Sequence, residues 1–300
     1  MLPNFLIVGA AKSGTTSLYH YLNQHPQVYM SPIKEPFFFT FINKKSDFQG
    51  PFDQKTNESI IKSFDEYKKL FRGVTDEKAI GECSNSYLYF QDTAANIKRF
   101  IPECKIIIML RNPIERAYSH HLQFVMLGQE DLTFENALKK EEERKKLNWR
   151  WHYQLMGQGL YYSQVKRYID EFEAKNVSIH LFEELKETPN ELMKNIYDFL
   201  CVDSEFKPQA DKIYNKGGLP KNMFVHKLLR GSNLIKDVTR AFTSKKIRGK
   251  LYSVLSEINY EYKNRPVINE RTKKHMVDVF KDDALKLQNL INRDLSAWFN

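Results

Sequence analysis

Residues 9–17, Gly-Ala-Ala-Lys-Ser-Gly-Thr-Thr-Ser, are small and hydroxylated and carry one lysine, Lys12. An apolar run at 5–8 precedes them and predicts a buried strand, and Leu18, Tyr19 and Leu22 follow on one face of a predicted helix. A tight turn between a strand and a helix leaves backbone N–H groups unpaired at the helix N-terminus, where they can hold a phosphate. The sequence therefore predicts a phosphate-binding loop.

This loop matches the nucleotide-binding pattern G-x-x-x-x-G-K-[ST] except at the lysine. Gly9 and Gly14 fit, but Thr15 stands at the lysine position and Lys12 comes early. A site for ATP and magnesium also needs an acidic residue at a strand end, and no apolar strand here ends in a convincing Asp. We therefore expect no metal, and a small-molecule kinase is the alternative enzyme.

A second motif follows the apolar run 105–110, which predicts a buried parallel strand. It reads Arg111-Asn112-Pro113-Ile114-Glu115-Arg116-Ala117-Tyr118-Ser119. Pro113 suits the first turn of a helix. A cation at the end of a strand, near a phosphate loop, indicates a second anionic group on the ligand.

The two motifs, in this order and about a hundred residues apart, resemble those of the PAPS-dependent sulfotransferases, in particular the heparan-sulfate-type and bacterial enzymes. The resemblance implies an α/β, P-loop-like three-layer fold with a central parallel sheet flanked by helices. It implies that PAPS donates a sulfuryl group to a hydroxyl or amine and leaves as PAP, with no metal. Arg111 and Ser119 would bind the 3'-phosphate. The 5'-phosphosulfate would lie on the first loop, on Lys12, Ser13, Gly14, Thr15, Thr16 and Ser17.

The resemblance also indicates a catalytic base. Lys34-Glu35-Pro36-Phe37-Phe38-Phe39 is similar to a segment of the heparan-sulfate-type enzymes in which the Glu accepts the proton of the acceptor, so Glu35 is predicted as the base. The His that commonly follows two places later is Phe37 here. Glu82 is a second carboxylate expected near the site, followed by Cys83 where those enzymes have a lysine. The alternative bases are His20, His25, His120 and His121.

A third feature of the family is a basic, glycine-containing loop that closes over the adenine and the 3'-phosphate. Tyr214-Asn215-Lys216-Gly217-Gly218 fits it. The resemblance therefore adds Tyr214, Lys216 and Gly217 to the predicted nucleotide site, with Tyr214 against the adenine ring. A plain surface turn explains the same residues.

Alternating apolar runs and helical patterns predict how these residues are positioned. Beyond the first strand and helix (15–23), we expect strands at 28–30, 79–82, 105–110 and 177–181. Helices are expected at 59–71, 92–100, 113–127, 134–146, 161–172, 189–200 and 269–292, with loop at 40–57 and 203–222. This repeated strand–helix order favours a parallel sheet covered on both faces.

Length and composition favour one domain over residues 1–300, with a helical C-terminal part at about 223–300. No apolar run approaches the roughly 20 residues that span a bilayer, and the start carries no secretory signal, so a cytoplasmic location is expected. The dispersed Cys83, Cys104 and Cys201 are expected to be reduced thiols.

The partners follow less directly from the sequence. The net charge of +9 is spread along a chain with 37 acidic residues, and no nucleic-acid motif occurs, so nucleic acid is not expected. The basic stretch at 230–250 leaves a non-catalytic nucleotide- or polyanion-binding module as an alternative. The expected acceptor is a small molecule, with the aromatic run 37–41, Trp149, Trp151 and Tyr153 as either a ring-stacking wall or core.

Overall fold

The computed structural model describes residues 1–42, 44–209, 219–220, 260–261 and 267–299. Its centre is a parallel sheet in the order β2-β3-β1-β4-β5. The strands are β1 (Phe5–Gly9), β2 (Val28–Met30), β3 (Ala79–Cys83), β4 (Lys105–Leu110) and β5 (Val177–Leu181). Two further strands, β6 (Leu219–Pro220) and β7 (Tyr260–Glu261), pair antiparallel with each other. The predicted α/β fold with a central parallel sheet is confirmed.

Helices connect the strands and cover the sheet. Up to β4 they are α1 (Thr15–Leu22), α2 (Phe38–Phe41), α3 (Asp53–Ser59), α4 (Phe64–Lys69), α5 (Ser86–Tyr89) and α6 (Thr93–Phe100). After β4 come α7 (Pro113–Met126), α8 (Phe134–Lys139), α9 (Glu141–Lys146), α10 (Tyr161–Phe172), α11 (Phe182–Glu187), α12 (Pro189–Leu200) and α13 (Glu270–Ile291).

Alternate residues of the central strands build two separate cores, which is why the fold has three layers. Leu6 and Val8 of β1 pack with α6, α10 and α13 on one face of the sheet. Phe5 and Ile7 pack with α1 and α12 on the other face. A strand that is buried on both faces must be apolar at every position, and this accounts for the continuous apolar runs in the sequence.

Some helix boundaries differ from those predicted. The segment 40–57 is not all loop, since the end of α2 and most of α3 fall within it. The helix predicted at 59–71 begins only after Ser63, whose side chain accepts a hydrogen bond from Glu66 N and caps α4. The helix predicted at 134–146 is divided into α8 and α9 at Lys140. Glu141 there turns its carboxylate to the backbone N–H groups of Met156 and Gly157, a tertiary contact that no local pattern signals.

The C-terminal helix α13 packs against α10, where its Ala284 and Leu287 share the main core. Nearer its start, Met276 and Phe280 pack with residues of α7. Asp283 accepts a hydrogen bond from Tyr162 N, so this helix is tied to the start of α10. The predicted site residues Tyr214, Lys216 and Gly217, and the basic stretch 230–250, lie outside the described residues. The single-domain organisation therefore stays a prediction.

The carboxyl ends of the strands place the two sequence motifs side by side. After β1, the chain forms β2 and β3 on one side of β1 and then returns to form β4 on its other side. The order of the strands therefore reverses between the neighbours β1 and β4. In parallel sheets, ligands bind at such a switch point, outside the carboxyl ends of the strands. The loops after β1, β2, β3 and β4 all open at this edge.

Candidate active site

The loop between β1 and α1 is built from left-handed turns. Lys12 has φ +67° and Gly14 has φ +91°. Glycine is favoured at position 14 because it adopts a left-handed φ without steric cost. A Cβ there would also lie 2.5 Å from Leu185 Cδ2, so the end of that side chain would have to move. The first turn of α1 contains no acidic residue, and no side chain caps it. The positive end of the helix dipole is thus left for an external anion.

The donors at this helix end fit a phosphate or phosphosulfate group. Ser13 N donates to Ala10 O at 3.2 Å. Across the described parts of the chain, the N–H groups of Gly14, Thr15, Thr16 and Ser17 have no protein acceptor. The side chains of Ser13, Thr15 and Ser17 are buried, so these residues offer the ligand mainly their backbone, whereas Lys12 and Thr16 are partly exposed.

Asn112 fixes the second motif. Its side chain accepts from Ile114 N at 2.9 Å and from Glu115 N at 3.2 Å, which caps α7 directly after β4. Arg111, the residue between strand and cap, is buried and points to the first loop, where its Nη1 lies 3.4 Å from the carbonyl oxygen of Lys12. The fold therefore brings the two motifs into direct contact.

Two other groups hold the Arg111 guanidinium. Its Nη2 donates to Glu115 Oε2 at 2.7 Å, and the Phe182 ring centroid lies 4.5 Å away. Glu115 is half exposed and can turn to solvent if an anionic ligand replaces it. Ser119 lies in the second turn of α7 and is half buried. Arg116, in the turn before it, is fully buried and donates a hydrogen bond to Leu155 O, so it is not available to a ligand.

Glu35 follows β2, and hydrogen bonds hold one of the two oxygens of its carboxylate. Its Oε1 accepts from Asn85 Nδ2 at 2.7 Å and from Lys34 Nζ at 2.8 Å. Oε2 has no hydrogen-bond partner in the part of the chain that the structure describes. The carboxylate is therefore oriented by one oxygen and can accept a proton on the other.

The backbone around Glu35 is held in an uncommon conformation. Glu35 has φ +63° and Phe37 has φ +57°, a region that costs a non-glycine residue on the order of 1 kcal/mol or more. Hydrogen bonds to the neighbouring strand end maintain it, since Glu35 N donates to Cys83 O at 2.9 Å and Phe37 N to Ser84 Oγ at 3.3 Å. Such strain is typical of positions where a side chain must point in one direction.

A cavity of about 260 Å³ opens beside this carboxylate. Lys12 and Glu35 lie on its wall, with Phe37, His120 and His152. Among the described residues that line it, Glu35 is the one carboxylate. A nucleophile in this cavity would have a proton acceptor and the phosphate loop within reach, which is the arrangement that group transfer needs.

The histidines of the cavity are poor bases. Burial, with the charge of Arg116 nearby, lowers the pKa of His120 well below its ordinary value. Burial and the charge of Arg150 lower the pKa of His152 to about 3. The other candidate bases, His20, His25 and His121, do not line the cavity. Glu35 differs from these histidines in that its carboxylate lines the cavity with one oxygen oriented by two hydrogen bonds.

Comparison with known proteins agrees with this geometry. The model of the sulfotransferase domain family matches residues 2–217. A solved sulfotransferase structure from Alicyclobacillus acidocaldarius superposes with a TM-score of 0.80 at 33% identity, covering 100% of both chains. The chain belongs to the sulfotransferase family. Its fold is therefore that of a sulfotransferase and its chemistry is sulfuryl transfer.

Two relatives show how far the similarity of this sulfotransferase extends. The membrane-associated sulfotransferase kil1 of Dictyostelium discoideum is 26% identical over 340 aligned residues, which cover all of this chain and 67% of that protein. Carbohydrate sulfotransferase 15 of Mus musculus is 34% identical over 155 residues, 41% of this chain and 27% of that protein. None of the helices described in this sulfotransferase is long and apolar enough to cross a membrane.

The sequence did not reveal four of the residues that line the cavity. They are Gln123, Gln129, Arg150 and His152. One signal was available, since Gln123 and Phe124 follow His120 at helical spacing and share its face of α7. Arg150 and His152 carry no such signal, because they reach the cavity from a separate segment.

The aromatic run is mainly core, which is one of the two alternatives that the sequence left open. Phe38 and Phe39 are fully buried in the main core, and only Phe37 of this run lines the cavity. Trp151 is also buried and packs edge-on against Phe37, with ring centroids 5.1 Å apart. The run therefore serves mainly as core, because α2 turns its rings inward beneath the Glu35 segment.

Glu82 lies beneath the site and not on the wall of the cavity. It is fully buried and accepts hydrogen bonds from Ser84 Oγ at 3.0 Å and Tyr67 Oη at 3.3 Å. Because Ser84 Oγ also accepts from Phe37 N, Glu82 supports the segment that carries Glu35. Burial raises its pKa to about 7.

This shift predicts how stability depends on pH. The folded protein keeps the Glu82 proton up to about pH 7, whereas the unfolded chain loses it near 4.5. Glu82 therefore contributes fully to the free energy of unfolding below pH 4.5. This contribution falls by on the order of 3 kcal/mol as the pH rises to 7. Glu82→Gln, which cannot ionise, should gain stability relative to the wild type as the pH rises from 5 to 8, measured by melting temperature. If the melting temperatures of the two proteins changed in parallel with pH, the raised pKa of Glu82 would be contradicted. Glu142→Gln, at an exposed position, is the control.

Proposed function

We propose that this sulfotransferase transfers the sulfuryl group of PAPS to a hydroxyl of a small-molecule acceptor, with Glu35 as the base. One observation carries the proposal: the guanidinium of Arg111 reaches the carbonyl oxygen of Lys12. Both cationic motifs and the N-terminus of α1 therefore lie close to the cavity that Glu35 lines. A nucleotide with phosphate at two positions and a transferable sulfuryl group matches this distribution of donors.

In the proposed reaction the 5'-phosphosulfate lies on residues 12–17 and the 3'-phosphate on Arg111 and Ser119. The acceptor hydroxyl gives its proton to Glu35 Oε2 while its oxygen forms a bond to sulfur. The bond between sulfur and the bridging oxygen breaks in line, and its electron pair stays on the 5'-phosphate of PAP. Lys12 and the loop N–H groups stabilise the charge that develops on the bridging and sulfuryl oxygens.

Further parts of the proposal rest on sequence alone. Tyr214, Lys216 and Gly217 are proposed to close over the adenine and the 3'-phosphate, as the family resemblance implies. A cytoplasmic location also stays a prediction, and the name of the relative from Dictyostelium discoideum describes that protein as membrane-associated.

Nucleotide binding tests the proposal most directly. PAP should raise the melting temperature of the full chain without magnesium, and ATP with magnesium should not. Labelled PAPS should then pass its sulfuryl group to a member of an acceptor library in the presence of the enzyme. Stabilisation by ATP and magnesium but not by PAP would instead favour the kinase alternative.

Arg111→Ala should weaken the binding of PAP and raise the KM for PAPS about 10- to 100-fold, because charge-assisted hydrogen bonds to a phosphate are lost. The value of kcat should change less, since Arg111 does not touch the reacting atoms in this proposal. Calorimetry with PAP and steady-state kinetics measure the two effects. Arg99→Ala, an exposed arginine of α6, is the control. An unchanged KM would remove Arg111 from the nucleotide site.

A further inference from the structure

Lys34 immediately precedes the proposed base, and its ammonium pairs with it. Lys34 Nζ donates to Glu35 Oε1 at 2.8 Å, and the exposed fractions of the two side chains are only 22% and 25%. Consecutive side chains point to opposite sides of an extended chain. This pair meets within a bent segment, in which Glu35 has φ +63°. The ion pair is therefore part of the strained turn that carries the base, and its partial burial limits the screening that weakens exposed pairs.

Three hydrogen bonds fix the segment that leads to Lys34. Ser31 N donates to Gly81 O of β3 at 2.8 Å, and Tyr19 Oη of α1 donates to Ser31 O at 2.7 Å. The hydroxyl of Ser31 donates in turn to Ile33 O at 2.8 Å. The residues before Lys34 are thus tied to both the sheet and the first helix, and the backbone at Lys34 is held in place.

The surroundings keep the ammonium of Lys34 charged. Burial would lower its pKa, but the acidic groups of Cys83, Glu35 and Glu82 raise the pKa above the ordinary value for lysine. Burial also raises the pKa of Cys83 to about 12, so this neighbour is a neutral thiol at physiological pH. Glu35 is therefore the anion that Lys34 balances directly, and Lys34 itself does not exchange a proton near neutral pH.

Lys34 contacts the base but does not line the cavity, whereas Lys12 and Glu35 do. Its side chain lies near α1, where its charge adds to burial in lowering the pKa of His20. Its hydrogen bond takes Glu35 Oε1, the same oxygen that Asn85 holds, and leaves Oε2 for a proton. Lys34 can therefore act on the reaction through Glu35, without touching an acceptor in the cavity.

A base beside a polyanion needs such a cation. PAPS, the proposed donor, brings several negative charges into the cleft that contains Glu35. Negative neighbours favour the protonated form of a carboxylate, and a protonated Glu35 could not accept the proton of the acceptor hydroxyl. An ammonium fixed on Oε1 opposes this effect, because it favours the ionised carboxylate.

We infer that Lys34 is a positioning residue of the transfer reaction, which holds Glu35 by Oε1 and keeps it ionised beside the bound nucleotide. This inference rests on the proposed function, because only there is Glu35 the base. In the proposed reaction the proton of the hydroxyl moves to Oε2, and Lys34 keeps its own protons. Its ammonium then lies beside a neutral carboxylic acid, and its unbalanced charge favours the negative charge that develops on the leaving phosphate.

Variants at position 34 test whether the charge matters. Labelled PAPS is used with the acceptor of the library that reacts fastest, and calorimetry measures the binding of PAP. Lys34→Met should lower the single-turnover rate of transfer about 10- to 100-fold and change the affinity for PAP less than about threefold. Lys34→Arg keeps the charge and should recover most of the loss. Lys34→Gln keeps a hydrogen-bond donor without the charge and should recover less.

Two results at this position would overturn the inference. One is a transfer rate of Lys34→Met near that of the wild type, and the other is a rate of Lys34→Gln equal to that of Lys34→Arg. Lys194→Met is the matched control, because it removes a lysine from an exposed ion pair with Glu205. This control should have the wild-type rate.

A double-variant cycle shows whether Lys34 acts through Glu35. In the background of Glu35→Gln, Lys34→Met should lower the residual rate less than about twofold, because the group through which Lys34 acts is already lost. The full loss in that background would mean that Lys34 acts independently, which contradicts the inference. Near-normal turnover of Glu35→Gln would remove the base and this inference with it, while sulfuryl transfer stands. Failure of PAP to raise the melting temperature of the wild type would instead mean that the proposed function fails.

Discussion

Glu35→Gln should lower kcat about 1,000-fold and leave the KM for PAPS nearly unchanged. Glutamine has the same shape, and its oxygen can still accept from Asn85 Nδ2 and Lys34 Nζ, so the segment should keep its conformation. What disappears is the proton acceptor at the position of Oε2. Single-turnover measurement of sulfuryl transfer separates this loss in the chemical step from any change in binding.

Two comparisons sharpen the result. Glu142→Gln makes the same chemical change at an exposed position of α9 and should have wild-type turnover. His120→Asn removes the rival base of the cavity and should cost less than Glu35→Gln, because the low pKa of His120 makes it a weak proton acceptor. Near-normal turnover in Glu35→Gln, or a larger loss in His120→Asn, would show that the base is wrongly assigned.

The part of the site that is proposed to hold anions could be predicted because its signals are local. The buried runs of β1 and β4 specify strands, and Gly14 and Asn112 specify where the following helices begin. Parallel strands then bring the two motifs to one edge of the sheet. The contact of Arg111 with the carbonyl of Lys12 joins residues 99 positions apart, and the pairing of β1 with β4 makes it possible by placing the two strand ends side by side.

The cavity lining outside these two motifs could not be predicted in the same way. Arg150 N donates to the carboxylate of Asp53, and the two residues are 97 positions apart on segments that have no strand to align them. Only the packed tertiary structure shows that the buried carboxylate of Asp53 balances the charge of Arg150. The aromatic run illustrates the same point, since nothing in its pattern separates Phe37 at the cavity from Phe38 in the core.

Lys12→Met should lower kcat about 100- to 1,000-fold and weaken the binding of PAP much less. Methionine keeps most of the length of the side chain and removes the ammonium group with its charge and its hydrogen-bond donors. The N–H groups of Gly14 to Ser17 remain to hold the phosphate, so the ground state keeps most of its contacts. The developing charge on the bridging and sulfuryl oxygens would lose its closest proposed cation, and kinetics with PAPS measure this loss.

Comparing the loss of PAP affinity with the loss of kcat distinguishes a transition-state role for Lys12 from simple attraction of the nucleotide. If PAP affinity fell as far as kcat/KM while kcat stayed constant, Lys12 would bind ground state and transition state equally. Lys166→Met, which removes a surface lysine paired with Asp170 on α10, controls for the loss of net charge. Lys12→Arg adds a second check: the bulkier, planar guanidinium keeps the charge but cannot place it as a compact ammonium does, so only partial recovery of kcat is expected.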